Sequence, residues 1–324
     1  MDIDNSDHGM WWGTLGTVRP FPGFIADEDA REIQLSVDKK DFARLVRILT
    51  NRNNAQRQKI AQAFQKNSQK ELSAVLKKAL SGPLEELMLA LLMTPTQFDA
   101  HRLRQSMEGM GTDEEALLEV LCTRTGPHLK EVMVAYRQLY GRYLEKDLES
   151  ETSKDFTKLV LALVMKEEKN VKGLIDYHLI SEDVKALAEA IGSKKVNSAP
   201  WIQILTSRDP DHLNRVFSRL EMLKGETMEK MVQSNFSGDL KLGLRILVSC
   251  IQNTPLFLAQ RLHGSLKKSS VVRGVMVGRC EDDLLCIRRE FKKLNNMSLY
   301  STIQKEFKGD LQEALLALCR SEDM

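Results

Sequence analysis

Four short stretches end in arginine: Ile48-Leu49-Thr50-Asn51-Arg52, Val120-Leu121-Cys122-Thr123-Arg124, Ile204-Leu205-Thr206-Ser207-Arg208 and Val275-Met276-Val277-Gly278-Arg279. Their arginines lie 72, 84 and 71 residues apart. A second marker keeps step: Ser81-Gly82, Thr152-Ser153, Ser237-Gly238 and Lys308-Gly309. Each opens an apolar run: Leu84 to Leu92, Phe156 to Val164, Leu240 to Val248 and Leu311 to Leu318. Self-similarity at a fixed period is the signature of an array in which each unit completes its core against its neighbours. The extra residues in the middle spacing fall near Lys166-Glu167-Glu168-Lys169-Asn170, a charged linker that divides the chain into two halves.

The units read as helical. From His128 to Tyr140, the residues Leu129, Val132, Met133, Tyr136 and Tyr140 share one helical face. Thr94-Pro95, Asp209-Pro210 and Thr254-Pro255 each place a capping side chain before a proline at the first helical position. No sustained polar–apolar alternation marks a strand. The expected fold class is therefore all-α, four repeats of about five short helices each.

Composition narrows the function. Hydrophobic residues make up 42% of the 324 and charged residues 28%, which excludes a disordered or collagen-like chain. With 47 basic against 45 acidic residues the net charge is +2, so any electrostatic partner must be held by local patches, and nucleic acid is not expected. Apolar runs such as Leu159 to Met165 are too short to span a bilayer, and Met1-Asp2-Ile3-Asp4 is no signal peptide. Five cysteines without a CxxC pair do not make a disulfide scaffold, so a cytoplasmic setting is expected. The six histidines lack metal spacing. No nucleophile–base motif, phosphate-cradling glycine loop or zinc cluster is visible, so no enzyme is expected.

One loop carries chemistry. Counting back from Arg124 reaches Met107-Glu108-Gly109-Met110-Gly111-Thr112, where Thr112 and Glu115 read as a capping box. Two glycines one residue apart permit positive φ and let carbonyls turn toward one point. Calcium takes six to eight oxygens, carbonyls included, so a carboxylate must join them. Glu151 follows Thr112 after 38 intervening residues, just before the fifth helix of the same repeat.

These residues resemble the annexin family, whose calcium signature is a G-x-G-T loop followed after about that interval by an acidic residue. The fourfold repeat, the long second connection and the opening segment Gly16-Thr17-Val18 through Phe21-Pro22-Gly23-Phe24 agree with it, so the resemblance covers residues 13–324. The two ends, Trp12-Gly13-Thr14-Leu15-Gly16-Thr17 and Leu318 to Met324, are similar to the ninth vertebrate subfamily. The resemblance implies a curved disc divided into a tail (1–21), repeats at 22–93 and 94–165, a linker (166–177) and repeats at 178–252 and 253–324. It implies a peripheral membrane protein, monomeric in solution, that binds acidic phospholipid through calcium. In repeat 2 the carbonyls of Met107, Gly109 and Gly111 with bidentate Glu151 would hold the ion. Water and a lipid phosphate would complete the shell.

The other repeats depart from the signature. Repeat 1 has Val37-Asp38-Lys39-Lys40 and Ala79; repeat 3 has Ser193-Lys194-Lys195-Val196 and Asn235. Repeat 4 has Gly264-Ser265-Leu266-Lys267 with Glu306 retained, so Leu262, Gly264, Leu266 and Glu306 form a weaker candidate site in which Leu266 replaces the second glycine. All three degraded loops carry a lysine pair: Lys39-Lys40, Lys194-Lys195 and Lys267-Lys268. A lysine near anionic lipid contributes about 1 kcal/mol, so these pairs are candidate lipid contacts that replace part of the calcium bridge.

Remaining features read as structural. The four arginines are expected to bond the open carbonyls at a helix C-terminus, and the cysteines to pack in the core. By resemblance Cys250 and Cys319 would approach each other, reduced. The short tail with Trp11 and Trp12 is expected to fold onto the core, and the resemblance makes it a candidate site for a protein partner. The resemblance also implies a central polar channel bearing Asp99, although Arg102 and Gly274 depart from its usual acid and arginine. The alternative function is a calcium-independent helical scaffold for a protein partner; calcium-dependent liposome sedimentation separates the two.

Overall fold

The computed structural model describes residues 15–109, 111–167, 175–192 and 196–320. Trp11, Trp12, Lys194 and Lys195 lie outside the described residues, as does 168–174 within the expected linker. The described residues form α-helices with no strand. Repeat 2 shows the unit plainly, with helices Pro95–Ser106, Glu114–Thr123, Gly126–Tyr140, Leu144–Glu151 and Lys154–Val164. Repeat 1 runs Ala26–Lys39, Phe42–Thr50, Asn54–Ser68, Leu72–Ala79 and Gly82–Leu92.

Local chemistry sets the boundaries. Thr94 forms a capping box, its hydroxyl accepting from the Gln97 amide at 3.3 Å while the Gln97 side chain accepts from the Thr94 amide at 3.0 Å. Asp209 accepts from the His212 amide at 2.9 Å, ahead of Pro210 in the first turn. The third expected cap moves by one residue. Asn253 accepts from the Leu256 amide at 3.0 Å, while the Thr254 hydroxyl turns back to the Cys250 carbonyl at 2.8 Å. Asn253, at φ −162° and ψ 88°, breaks Gly238–Ser265 into two helices. Among the described residues that element alone is long and apolar enough to cross a membrane by length and composition, but half of its apolar window is buried in protein.

The fifth helix of every repeat begins on a left-handed residue: Gly82 (φ 62°), Lys154 (58°), Gly238 (59°) and Gly309 (63°). Three are glycine, as the sterics of a Cβ demand. Repeat 2 alone uses lysine, so its marker is Ser153-Lys154, one residue later than the sequence pattern suggested.

The chain divides into two compact units, residues 99–257 and residues 1–98 with 258–324. The division therefore does not fall at the charged linker, which lies inside the first of these. In the 99–257 unit, Leu117, Leu121, Val132, Tyr136, Leu159 and Trp201 are fully buried in one continuous core. The Trp201 indole donates to the Leu187 carbonyl at 3.2 Å and meets Phe236 edge-on, 5.2 Å between centroids. In the other unit the opening segment straps the fourth repeat. The Thr17 and Val18 amides donate to the Cys280 carbonyl at 2.7 and 2.9 Å, and the Thr17 hydroxyl donates to the Leu318 carbonyl at 2.6 Å. Gly16 is required there, because a Cβ would come within 2.5 Å of the Glu281 carbonyl carbon.

The four arginines mostly bind carboxylates rather than helix-end carbonyls. Arg52 clamps Asp29 at 2.6 and 2.8 Å, and Arg208 clamps Asp183 at 2.8 and 3.0 Å. Arg124 holds Asp99 at 2.7 and 3.3 Å, and Arg279 holds Asp283 at 2.7 and 2.6 Å. Arg52 adds a carbonyl bond, to Asn51 at 3.3 Å. Two histidines complete these clusters: His128 Nε2 lies 2.8 Å from Asp99, and His212 Nε2 lies 2.8 Å from Asp183. Asp99, assigned by resemblance to a channel, is thus fully buried and paired. Burial opposes its charge, but Arg124, the His128 hydrogen bond and Arg102 outweigh burial and hold the carboxyl well below the usual range. Cys122, Cys280 and Cys286 are free thiols, and burial pushes the first two up to about 12.

Candidate calcium site in the second repeat

The connection between the first and second helices differs among repeats. It spans 107–113 in repeat 2, 40–41 in repeat 1, 193–197 in repeat 3 and 266–268 in repeat 4. Repeat 2 has seven residues there, against two in repeat 1 and three in repeat 4, so it has the length to present several carbonyls outside helical hydrogen bonding; 193–195 in repeat 3 lie outside the described residues.

Repeat 2 builds its loop on a buried foot. Met107 is 6% exposed and seats the start of the loop in the core. Gly109 and Gly111 then adopt φ +113° and +94°, with open space where a Cβ would stand. The far end is closed by Asp113, whose amide donates to the Ser106 carbonyl at 2.8 Å and whose carboxylate accepts from the Ala116 amide at 3.0 Å. Asp113, not Thr112, is therefore the N-cap. The Thr112 hydroxyl instead donates to the Glu151 carbonyl at 3.2 Å. That bond brings the loop to the residue the spacing selected, and the Glu151 side chain is exposed beside it.

Asp147, one turn before Glu151 on the same helix, fixes that helix. It is 3% exposed and accepts from the Tyr136 hydroxyl at 2.6 Å, Arg142 at 2.5 Å and Arg104 at 3.4 Å. The Arg142 hydrogen bond lowers its pKa against the cost of burial, with Tyr136 and Arg104 assisting, so the carboxylate stays charged. Burial conversely pushes the Tyr136 phenol up. Arg104 belongs to the last turn of Pro95–Ser106, so the ion pair joins the helix before the loop to the helix bearing Glu151. Sequence reading passed over Asp147. Its signal was available: the arginine spacing puts Val75, Met231 and Thr302 in register with it, so repeat 2 alone can carry this anchor.

Among the described residues no group of three or more His, Cys, Asp or Glu side chains comes together to hold a metal. What the loop offers is main-chain oxygen with one nearby carboxylate, hard donors that suit calcium rather than zinc.

Repeat 4 does not present the same parts. Leu262 and Gly264 lie inside the helix Gly238–Ser265, and Leu262 is fully buried. Leu266 belongs to a three-residue turn, closed by the Lys268 amide on the Ser265 carbonyl at 2.9 Å. The expected weak site therefore fails by missing chain as well as by lacking a glycine; Glu306 remains exposed at the end of its helix. In repeat 1, Lys39 ends the first helix and Lys40 takes the left-handed conformation at φ 57°. Lys39, Lys40, Lys267 and Lys268 are all exposed.

A family model described as Annexin matches residues 28–91, 98–163, 182–247 and 257–318. Annexin A9 of Homo sapiens is 41% identical over 319 residues, covering 97% of this chain and 92% of that protein. Among solved structures, annexin III superposes with a TM-score of 0.91 at 38% identity, covering 95% of this chain and 98% of that one. Chicken annexin V gives a TM-score of 0.86 at 36% identity, covering 95% and 99%. Annexins are in general calcium-dependent phospholipid-binding proteins. With four matched repeats and near full-length identity, the chain belongs to the annexin family.

Proposed function

We propose that this chain is a peripheral membrane protein of the cytoplasm that binds acidic phospholipid through one calcium ion in repeat 2. The carbonyls of Met107, Gly109 and Gly111 and the Glu151 carboxylate would hold the ion. Its role is to bridge the protein to a lipid phosphate. The observation that carries this reading is the pair of positive φ angles at Gly109 and Gly111, together with the Thr112 bond to Glu151. Both features support the reading, because positive φ lets glycine turn its carbonyl outward and the Thr112 bond keeps the loop next to the helix end that bears the carboxylate.

A single site leaves little avidity, so calcium demand should exceed that of a chain with several sites. The lysine pairs Lys39-Lys40, Lys194-Lys195 and Lys267-Lys268 are proposed to supply an auxiliary, salt-sensitive attraction to the same lipids. The test is sedimentation with acidic vesicles across a calcium titration. Glu151→Gln should abolish the calcium-dependent part, because the amide loses both the charge and the bidentate grip. Unchanged sedimentation by that variant overturns the site.

A further inference from the structure

The opening segment enters beside the third helix of repeat 4, Leu284–Asn295. The Leu15 carbonyl accepts from the Leu285 amide at 2.9 Å, and the Leu15 side chain stands exposed there. A groove of about 570 Å³ starts at the same residue and is lined by Leu285, Arg289, Lys292 and Lys293. These residues follow at i, i+4, i+7 and i+8, so they form one stripe of the helix, apolar at its start and basic beyond.

The three cations of the stripe are all exposed. One buried carboxylate, Glu290, is shared by Lys293 at 3.0 Å and Arg289 at 3.5 Å. Residues 1–14, which lie outside the described residues, carry the matching pattern in their sequence. Trp11 and Trp12 stand close to Leu15, and Asp7, Asp4 and Asp2 stand farther away, with no lysine or arginine among them. Reach agrees with this order. Trp12 is three residues before Leu15, so it can lie at most about 10 Å from it, within range of Leu285. Lys293 is eight residues beyond Leu285, about 12 Å along the helix. The eight residues from Leu15 back to Asp7 can span about 27 Å, which covers that distance.

We infer that the groove on Leu284–Asn295 is the docking surface of the chain's own residues 1–14, with Trp11 and Trp12 against Leu285 and the Arg289 stem, and the aspartates on Arg289, Lys292 and Lys293. The occupant is this segment rather than a separate partner because it is tethered at the mouth of the groove. A tether of a few residues gives an effective concentration in the millimolar range, so weak contacts suffice. An arginine beside an apolar residue suits an aromatic ring, by cation–π contact as well as by burial. The far end is held by exposed ion pairs, so the hold weakens as salt screens them. The segment is thus a reversible, salt-sensitive cover over a basic helix face.

Tryptophan fluorescence of the full chain tests this. Of its three tryptophans Trp201 is fully buried, so changes in emission and in acrylamide quenching report Trp11 and Trp12. At low salt wild type should show both shielded, and added salt should shift emission to the red and raise quenching. Arg289→Glu with Lys292→Glu and Lys293→Glu should do the same without salt, each lost exposed pair shifting docking by about 1.5- to fivefold. Asp2→Lys with Asp4→Lys and Asp7→Lys should release the segment likewise, from outside the folded core. Combining the two sets should restore shielding, which a purely structural effect on the helix would not do. Circular dichroism of each variant reports folding, and the salt titration of wild type needs no variant at all. Shielding should be independent of protein concentration. Freely quenched tryptophans in wild type at low salt, a loss that the combined set does not repair, or shielding that grows with concentration as docking onto a second copy would, overturns the inference.

Discussion

The Thr112 hydroxyl donates to the Glu151 carbonyl at 3.2 Å, across 38 intervening residues. The bond is exposed, so its net worth lies at the low end of the hydrogen-bond range. Its importance is positional, since it keeps the glycine loop beside the helix end that bears the carboxylate. Thr112→Val preserves shape and removes the donor. The calcium concentration for half-maximal vesicle binding should rise about two- to threefold, with thermal stability nearly unchanged. No rise would show that Asp113 and Asp147 position the two parts without help.

Repeat 4 separates loop length from loop sequence. Its connection is 266–268, against 107–113 in repeat 2. Leu266→Gly changes one backbone preference within a turn that has too few carbonyls. In a Glu151→Gln background, calorimetry should therefore find no calcium heat for Leu266→Gly. Replacing 266–268 with residues 107–113 should restore one site, using Glu306. Heat from the single substitution would show that chain length is not the limit.

The repeat architecture was legible because it depends on periodic features that survive local change: the arginines, the apolar fifth helices and the 38-residue interval. Partners were not legible. Arg124 sits at a helix end, so carbonyl bonding was the local reading, but its carboxylate partner is Asp99, 25 positions back in a separate helix. A separation of 29 positions likewise hid His128 and His212, which looked scattered because their aspartates are remote in sequence. Fixed register also misled in repeat 4. Matching positions by counting back from Arg279 assumes equal loop lengths, and a shortened connection moves Leu262 and Gly264 into the helix. In the candidate site the glycines and Glu151 were visible as a motif, whereas Asp147 acts through contacts with Arg104, Tyr136 and Arg142 that only the fold brings together.

Lys154 is the one non-glycine among the four left-handed residues that open the fifth helices. A Cβ in that conformation costs about 1–2 kcal/mol, while glycine loses more entropy on folding. Lys154→Gly should give a net gain of about 0.5–1 kcal/mol, read as a higher urea midpoint. The reverse change, Gly238→Lys, should lower the midpoint by a similar amount. A destabilised Lys154→Gly protein would mean that the lysine side chain contributes more than its backbone costs.

Asp99 is fully buried against Arg124 and His128, and its folded pKa is lowered. A lowered carboxyl pKa contributes stability that is fully present above the unfolded value, about 3.9, and is lost as pH falls toward the folded value. Wild type should therefore lose stability progressively below about pH 5. Asp99→Asn leaves the Arg124 guanidinium buried without its counter-charge, a loss of about 3–5 kcal/mol at pH 7. The same variant has no carboxylate to protonate, so its urea midpoint should fall less steeply than that of wild type between pH 5 and pH 3. Arg124→Met with Asp99→Leu removes both charges and should recover much of the loss, because an apolar pair of similar volume avoids the desolvation cost. Equal pH slopes for wild type and Asp99→Asn would assign the acid sensitivity to other carboxylates, with Asp147 and Asp155, both lowered by hydrogen-bonded cations, next in line.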